Sequence, residues 1–190
     1  MGLFRRKPFE HEGRALYAGM VAQARRPEFY EAAGVPDTLD GRFDMIVLHA
    51  FLVLHRMKGP DGERGAKERG PMAGQVGRAM TEALFADMDA SLRELGFSDL
   101  AVGKRVKQMI DGFYGRMDAY ERGLASEDDG HALRVALDNN LYGTVPTNRA
   151  GLDLMAAYVR REAERLGSGP LGPLLAGEVT FGPPPAAPGA

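Results

Sequence analysis

The stretch DGRFDMIVLHAFLVLHRMKG, residues 40–59, sets the terms for the whole chain. From Met45 to Leu54 every residue except His49 is apolar, and Arg42, Asp44, Arg56 and Lys58 close the run at both ends. A membrane-spanning helix needs about 20 successive apolar residues, whereas a run of about 10–14 is more often a buried core helix. The flanking charges stand too near one another for a span. The stretch therefore predicts a core helix from about residue 39 to residue 57. Phe43, Ile46, Val47, Ala50, Leu54 and Met57 share one side at helical spacing, and Met45, Leu48 and Leu52 widen that face. Arg42, His49 and Arg56 leave a thin polar stripe. A helix this apolar all round belongs at the centre of a bundle. Its burial supplies about 1.5–3 kcal/mol per large side chain.

The rest of the chain supplies partners for that helix. Apolar residues at helical spacing predict helices over about 14–26, 72–95, 102–124, 130–141 and 149–166, with a short helical piece over 27–33 that Gly34 stops. Asp37 or Thr38 is expected to cap the core helix, and Thr147 or Asn148 the last one. Gly103, Gly112 and Gly115 lower helix propensity and read as points where a neighbouring backbone comes close. KGPDGERGAKERGP, residues 58–71, reads as a mobile surface loop. Residues 1–13 read as a basic flexible N-terminus. The Gly-, Pro- and Ala-rich residues 167–190 read as an extended or disordered tail, in which EVTF at 178–181 docks on the body. No internal repeat and no paired strands are seen. The 190 residues suit one domain. The fold class is all-α, a single bundle-like domain of five to seven helices over 14–166 with an extended tail.

Reactive chemistry is sparse. There is no cysteine, which excludes disulfides, thiolate metal sites and cysteine nucleophiles. His49 and His55 lie about 120° apart around a helix and cannot ligate one ion as an i, i+4 pair, and no HExxH occurs. Asp87 and Asp89 point to different faces and, with Glu82 and Glu94, read as a solvated acidic side. No Ser–His–Asp set, P-loop or GxSxG is present, so neither an enzyme nor a metal or cofactor site is expected. The net charge of −2 argues against a dedicated nucleic-acid binder, DNA included. A local basic segment remains: Lys104, Arg105 and Lys107, with Arg116 beyond, and RRK at 5–7. Most of the ten methionines sit at core spacing. The N-terminus lacks the apolar middle of a secretory signal.

Two blocks carry a resemblance. ARRPEFYEAAGVPDTLDGRFDMIVLHAFLVLHRMK, residues 24–58, and LRELGFSDLAVGKRVKQMIDGFYGRMDAYERGL, residues 92–124, resemble the ubiquinol–cytochrome c chaperone family. GFSD at 96–99 departs from the GVGD-like pattern expected there. The resemblance implies an all-α, non-enzymatic protein that assists assembly of the cytochrome bc1 complex by handling newly made cytochrome b. It further implies a bacterial member, cytoplasmic and peripheral to the inner membrane. Mitochondrial relatives act with a small partner subunit near the ribosome exit. The positions it singles out for partner binding are Arg25, Tyr30, Asp37, Asp40, Arg42, Arg93, Glu94, Asp99, Lys104, Lys107, Tyr114 and Arg116. On this reading a mixed apolar and polar groove shields an apolar segment of cytochrome b, with Lys104 and Lys107 contributing to its capture. The alternative is a ribosome- or RNA-contacting adaptor that uses the basic helix around 104–116.

Overall fold

Helix α3 (Leu39–Lys58) is the axis of the fold. Every residue from Asp44 to Val53 is buried, so the helix is enclosed all round rather than along one face. Phe43 and Leu54, expected in the core, are only half-buried. Thr38 caps the helix by accepting the Gly41 N–H at 3.1 Å. Asp37 is spent on a surface ion pair with Arg42 instead.

The computed structural model describes residues 8–59, 70–143, 145–146 and 148–186. Around α3 lie α1 (Glu10–Ala24), α4 (Pro71–Glu94), α5 (Asp99–Ala125) and α7 (Arg149–Ser168). The short α2 (Glu28–Glu31) links α1 to α3. Helix α6 (His131–Leu137) runs on into a π-turn, Asp138–Tyr142, and α8 (Gly172–Leu175) follows α7. Among the described residues there are eight α-helices, six of them at least seven residues long, and no strand. The fold is all-α.

Several boundaries and contacts differ from the sequence expectations. Helix α1 starts at Glu10, four residues inside the segment read as flexible, and the RRK cluster lies outside the described residues. The centre of the 58–71 segment, residues 60–69, also lies outside them. Asn148 caps α7 through the Ala150 N–H at 3.1 Å, whereas Thr147 lies outside the described residues. Gly103 and Gly115 have open space around them, and Gly112 meets only the Arg116 side chain. The close approach occurs at Gly123, where a Cβ would stand 2.7 Å from the Leu133 Cα. That glycine lets α5 and α6 pack backbone to backbone.

The tail closes the bundle on the side away from α5. Residues 178–186 run extended across α1 and α7. The Gly182 N–H donates to Glu162 at 2.8 Å, and Gln23 donates to the Gly182 carbonyl at 3.0 Å. Arg165 donates to the Thr180 carbonyl, and Arg161 to that of Pro183. The Phe181 ring stands edge-on to His49, 4.9 Å between centroids. EVTF therefore docks through the Val179 and Phe181 side chains and the Thr180 carbonyl, with no strand partner among the described residues.

Candidate partner-binding cleft

A cleft of about 440 Å³ opens between the first turns of α3, the last turns of α4, one flank of α5 and the π-turn. Leu39, Phe43, Met88, Leu92, Leu95 and Met109 give it apolar walls. Leu39 and Leu95 stand at its rim, 65% and 58% exposed, well above what an ordinary wall residue shows. The methionine side chains among them adapt to varied apolar surfaces.

The cleft has a charged base. Asp44, in the second turn of the core helix, meets Arg116 of α5 at 2.7 Å. Burial pushes the Asp44 carboxyl up to about 6, and Arg116 pulls it the other way. The Tyr120 hydroxyl lies beside this pair, and burial raises its pKa well above the usual range. Neither that hydroxyl nor Arg116 Nε has a hydrogen-bond partner among the described residues. Asp40, Arg105, Asn139 and Asn140 add polar groups at the edge, and the Arg105 guanidinium stacks on Phe97 at 4.3 Å. The arrangement suits a mostly apolar occupant that brings a few polar groups. It offers no nucleophile–base pair.

The positions singled out in the sequence separate into three groups. Asp40 and Arg116 line the cleft. Others stabilise the body: Arg42 holds Asp37 at 2.6 Å and keeps its carboxyl below the usual range, and the Tyr30 hydroxyl donates to the Ala24 carbonyl at 2.7 Å. Arg25 is the exposed residue that ends α1. Arg93 bridges Asp89 and Asp99, tying α4 to α5, with Glu94 exposed beside it. Lys104, Lys107 and Tyr114 are exposed, and the structure does not bring them to the cleft. The cleft-lining Arg105, Met109 and Arg116 occupy one flank of α5, whereas Lys107 and Tyr114 lie on the other. The sequence reading missed Asp44 and Tyr120, which took the form of a flanking charge and a core aromatic.

The two helix histidines serve the fold. His49 is fully buried, with Nδ1 against the Met45 carbonyl and Nε2 against the Tyr158 hydroxyl, each at 2.8 Å. Gln23 also donates to that hydroxyl at 3.1 Å. Burial holds the imidazole down at about 4. The ring is therefore neutral, with both nitrogens engaged. His55 pairs with Glu121 at 3.1 Å. Among the described residues no three His, Asp or Glu side chains gather to hold a metal, and no helix is long and apolar enough to cross a membrane.

Comparison with known proteins gives this geometry a setting. The ubiquinol–cytochrome C chaperone family model matches residues 31–181. The chain is 26% identical over 169 residues to ubiquinol–cytochrome c reductase complex assembly factor 1 of Xenopus laevis, spanning 88% of this chain and 79% of that one. It is equally similar to the assembly factor 1 of Mus musculus, but covers only 54% of that longer protein. The crystal structure of the Cbp3 homolog from Brucella abortus superposes with a TM-score of 0.77 at 36% identity, over 95% of both chains. With a family match over most of its length and a solved relative of the same fold and size, the chain belongs to the ubiquinol–cytochrome c chaperone family.

Proposed function

We propose that this protein is a non-enzymatic assembly chaperone for the ubiquinol–cytochrome c reductase complex, and that its client is newly made cytochrome b. The family match over residues 31–181 carries this reading. The cleft supplies a place for the work. An apolar client segment seated between Leu39, Phe43, Leu92, Leu95 and Met109 removes its own apolar surface and theirs from water, at about 25 cal/mol per Å² buried. The chaperone then acts at the cytoplasmic face of the inner membrane, as a peripheral protein that releases the client once its partner subunits arrive.

The basic segment does not favour the ribosome- or RNA-contacting reading. Arg105 is stacked on Phe97 and Arg116 is spent on Asp44, leaving Lys104 and Lys107 on a helix that also carries Asp111 and Asp118.

The test is a reduced-minus-oxidised spectrum of membranes from a strain lacking the gene. Selective loss of the b- and c1-type bands, restored by a plasmid copy, is expected; undiminished bands in the deletion strain overturn the proposal. A tagged chain is then expected to retain cytochrome b, and Leu39→Asp with Leu95→Asp to lower its recovery. Undiminished recovery from that folded variant removes the client from the cleft.

A further inference from the structure

A second face of α5 lies across the helix from the cleft. Leu100, Gly103, Lys107, Ile110, Tyr114 and Met117 recur at alternating steps of three and four, the spacing of a helix–helix seam. This row is distinct from the buried one, Val102, Phe113 and Tyr120, which faces α3. Leu100 is 87% exposed and Tyr114 62%, although both are large and apolar. Nothing lies within 4 Å of a Cβ built on Gly103, so another helix has room to approach there.

The charges along this face are segregated. Lys104 and Lys107 stand in its N-terminal half and make no ion pair among the described residues. Asp111, Asp118 and Glu121 stand from its middle towards the C-terminal end. Asp118 holds only Arg122, at 2.9 Å in a largely exposed pair, and such pairs are worth little. Glu121 faces His55. Asp99 at the N-terminal end is paired with Arg93 and Arg122 at the C-terminal end with Asp118; apart from these two, a positive half is followed by a negative half, which is complementary to its own reversed copy. The apolar row shares that property: turned about an axis near Gly112, Ile110 comes opposite Tyr114 and Lys107 opposite Met117. Antiparallel seams pair their rows in this way, and a two-fold contact presents the same patch on both sides.

We propose that this flank of α5 is a self-complementary interface whose occupant is a second copy of the chain, packed antiparallel about a two-fold axis that passes between Ile110 and Tyr114, at the level of Gly112. In the pair, the Lys107 ammonium reaches the partner subunit's Asp118, and Lys104 lies alongside the same carboxylate. Two contacts are unfavourable: Asp111, near the axis, faces the partner subunit's Asp111, and Lys104 comes beside the partner subunit's Arg122, which already holds Asp118. The proposal is independent of the client assigned to the cleft, because Arg105, Met109 and Arg116 remain open on the opposite flank.

Sedimentation equilibrium of the purified full-length chain tests it. The mass is expected to rise from 20.6 kDa towards twice that value as concentration approaches millimolar. Lys107→Glu places like charges together and is expected to weaken the dimer at least about tenfold. Adding Asp118→Lys to the same chain restores opposite charges at both contacts between positions 107 and 118 and, against the new repulsion from Lys104, recovers the dimer in part. Asp111→Asn tightens it. All three residues are exposed, and circular dichroism confirms that each variant keeps its helices. A chain that stays at 20.6 kDa throughout overturns the proposal, as does a dimer that Lys107→Glu leaves unchanged or that the double variant fails to recover.

Discussion

Asp44 and His49, both on α3, titrate in opposite senses. Burial raises the Asp44 carboxyl from 3.8 to about 6. Between those values the folded chain keeps a proton that the unfolded chain gives up. The stability contributed is complete on the acid side and is lost as pH rises through about 6. Burial lowers the His49 imidazole from 6.5 to about 4. Between those values the unfolded chain takes a proton that the folded chain refuses. That contribution is complete above 6.5 and is lost as pH falls towards 4. At about 1.4 kcal/mol per pKa unit, each window amounts to about 3 kcal/mol. The two nearly cancel. The wild-type stability is therefore expected to change less between pH 4 and 6.5 than that of a variant lacking either group. Asp44→Asn keeps an acceptor for Arg116 and leaves His49 unopposed, so its stability falls by about 3 kcal/mol as pH drops from 6.5 to 4. His49→Gln leaves Asp44 unopposed, and its stability rises by about as much. Urea denaturation at fixed ionic strength measures these slopes, and comparing slopes removes the constant cost of each substitution. The carboxyls of Glu28, Asp37 and Asp128 are held below their ordinary values and act only at the acid edge of this window. An Asp44→Asn profile parallel to the wild type refutes the reasoning. So does a wild-type profile that itself falls by about 3 kcal/mol.

Two further substitutions test the packing. Glu162→Ala removes the acceptor of the Gly182 N–H and of two arginines that are 46% and 39% exposed and regain water; the expected loss is about 2–4 kcal/mol, mostly from the stranded amide. Guanidinium denaturation measures that loss, and faster hydrogen exchange at Gly182 shows that the tail has been released. Gly151→Ala sets a Cβ 2.1 Å from the Ala33 carbonyl oxygen, which also accepts the Tyr142 hydroxyl at 2.7 Å; an overpacking cost of about 2–4 kcal/mol is expected and is read from the same denaturation curve.

What the sequence disclosed followed from local pattern. The apolar run at 45–54, the periodicity of the other long helices and the caps at Thr38 and Asn148 depend on residues a few positions apart, and all reappear in the structure. The start of α1 was illegible because Phe9, the residue before it, takes a left-handed conformation and caps nothing with its side chain. The cleft was illegible because its base joins residues far apart in the chain. Asp44 looks like a charge terminating an apolar run until Arg116 arrives from α5. Glu162 lies in the charged stretch RREAER, yet it is fully buried under the tail. The resemblance named twelve positions, and only Asp40 and Arg116 meet at the cleft, because family identity marks structural ties such as Arg93–Asp99 as readily as binding surfaces.

The enclosure of α3 explains why these distant features belong together. Asp44 and His49 are five residues apart, about 140° around the helix, so they face different neighbours. Asp44 turns to α5 and forms the base of the cleft. His49 turns to α7, where Tyr158 and Phe181 of the tail cover it. Glu162 links the same centre to the tail: it accepts the Gly182 N–H, and its charge favours the protonated form of His49 against the larger effect of burial. Over its enclosed segment, Asp44 to Val53, the helix has polar side chains only at these two points and must be apolar everywhere else to stay buried. The opening sequence has that composition. The cleft and the tail's seat are thus two sides of one rigid helix. A client bound in the cleft meets a base whose supporting helix is covered from behind by Phe181.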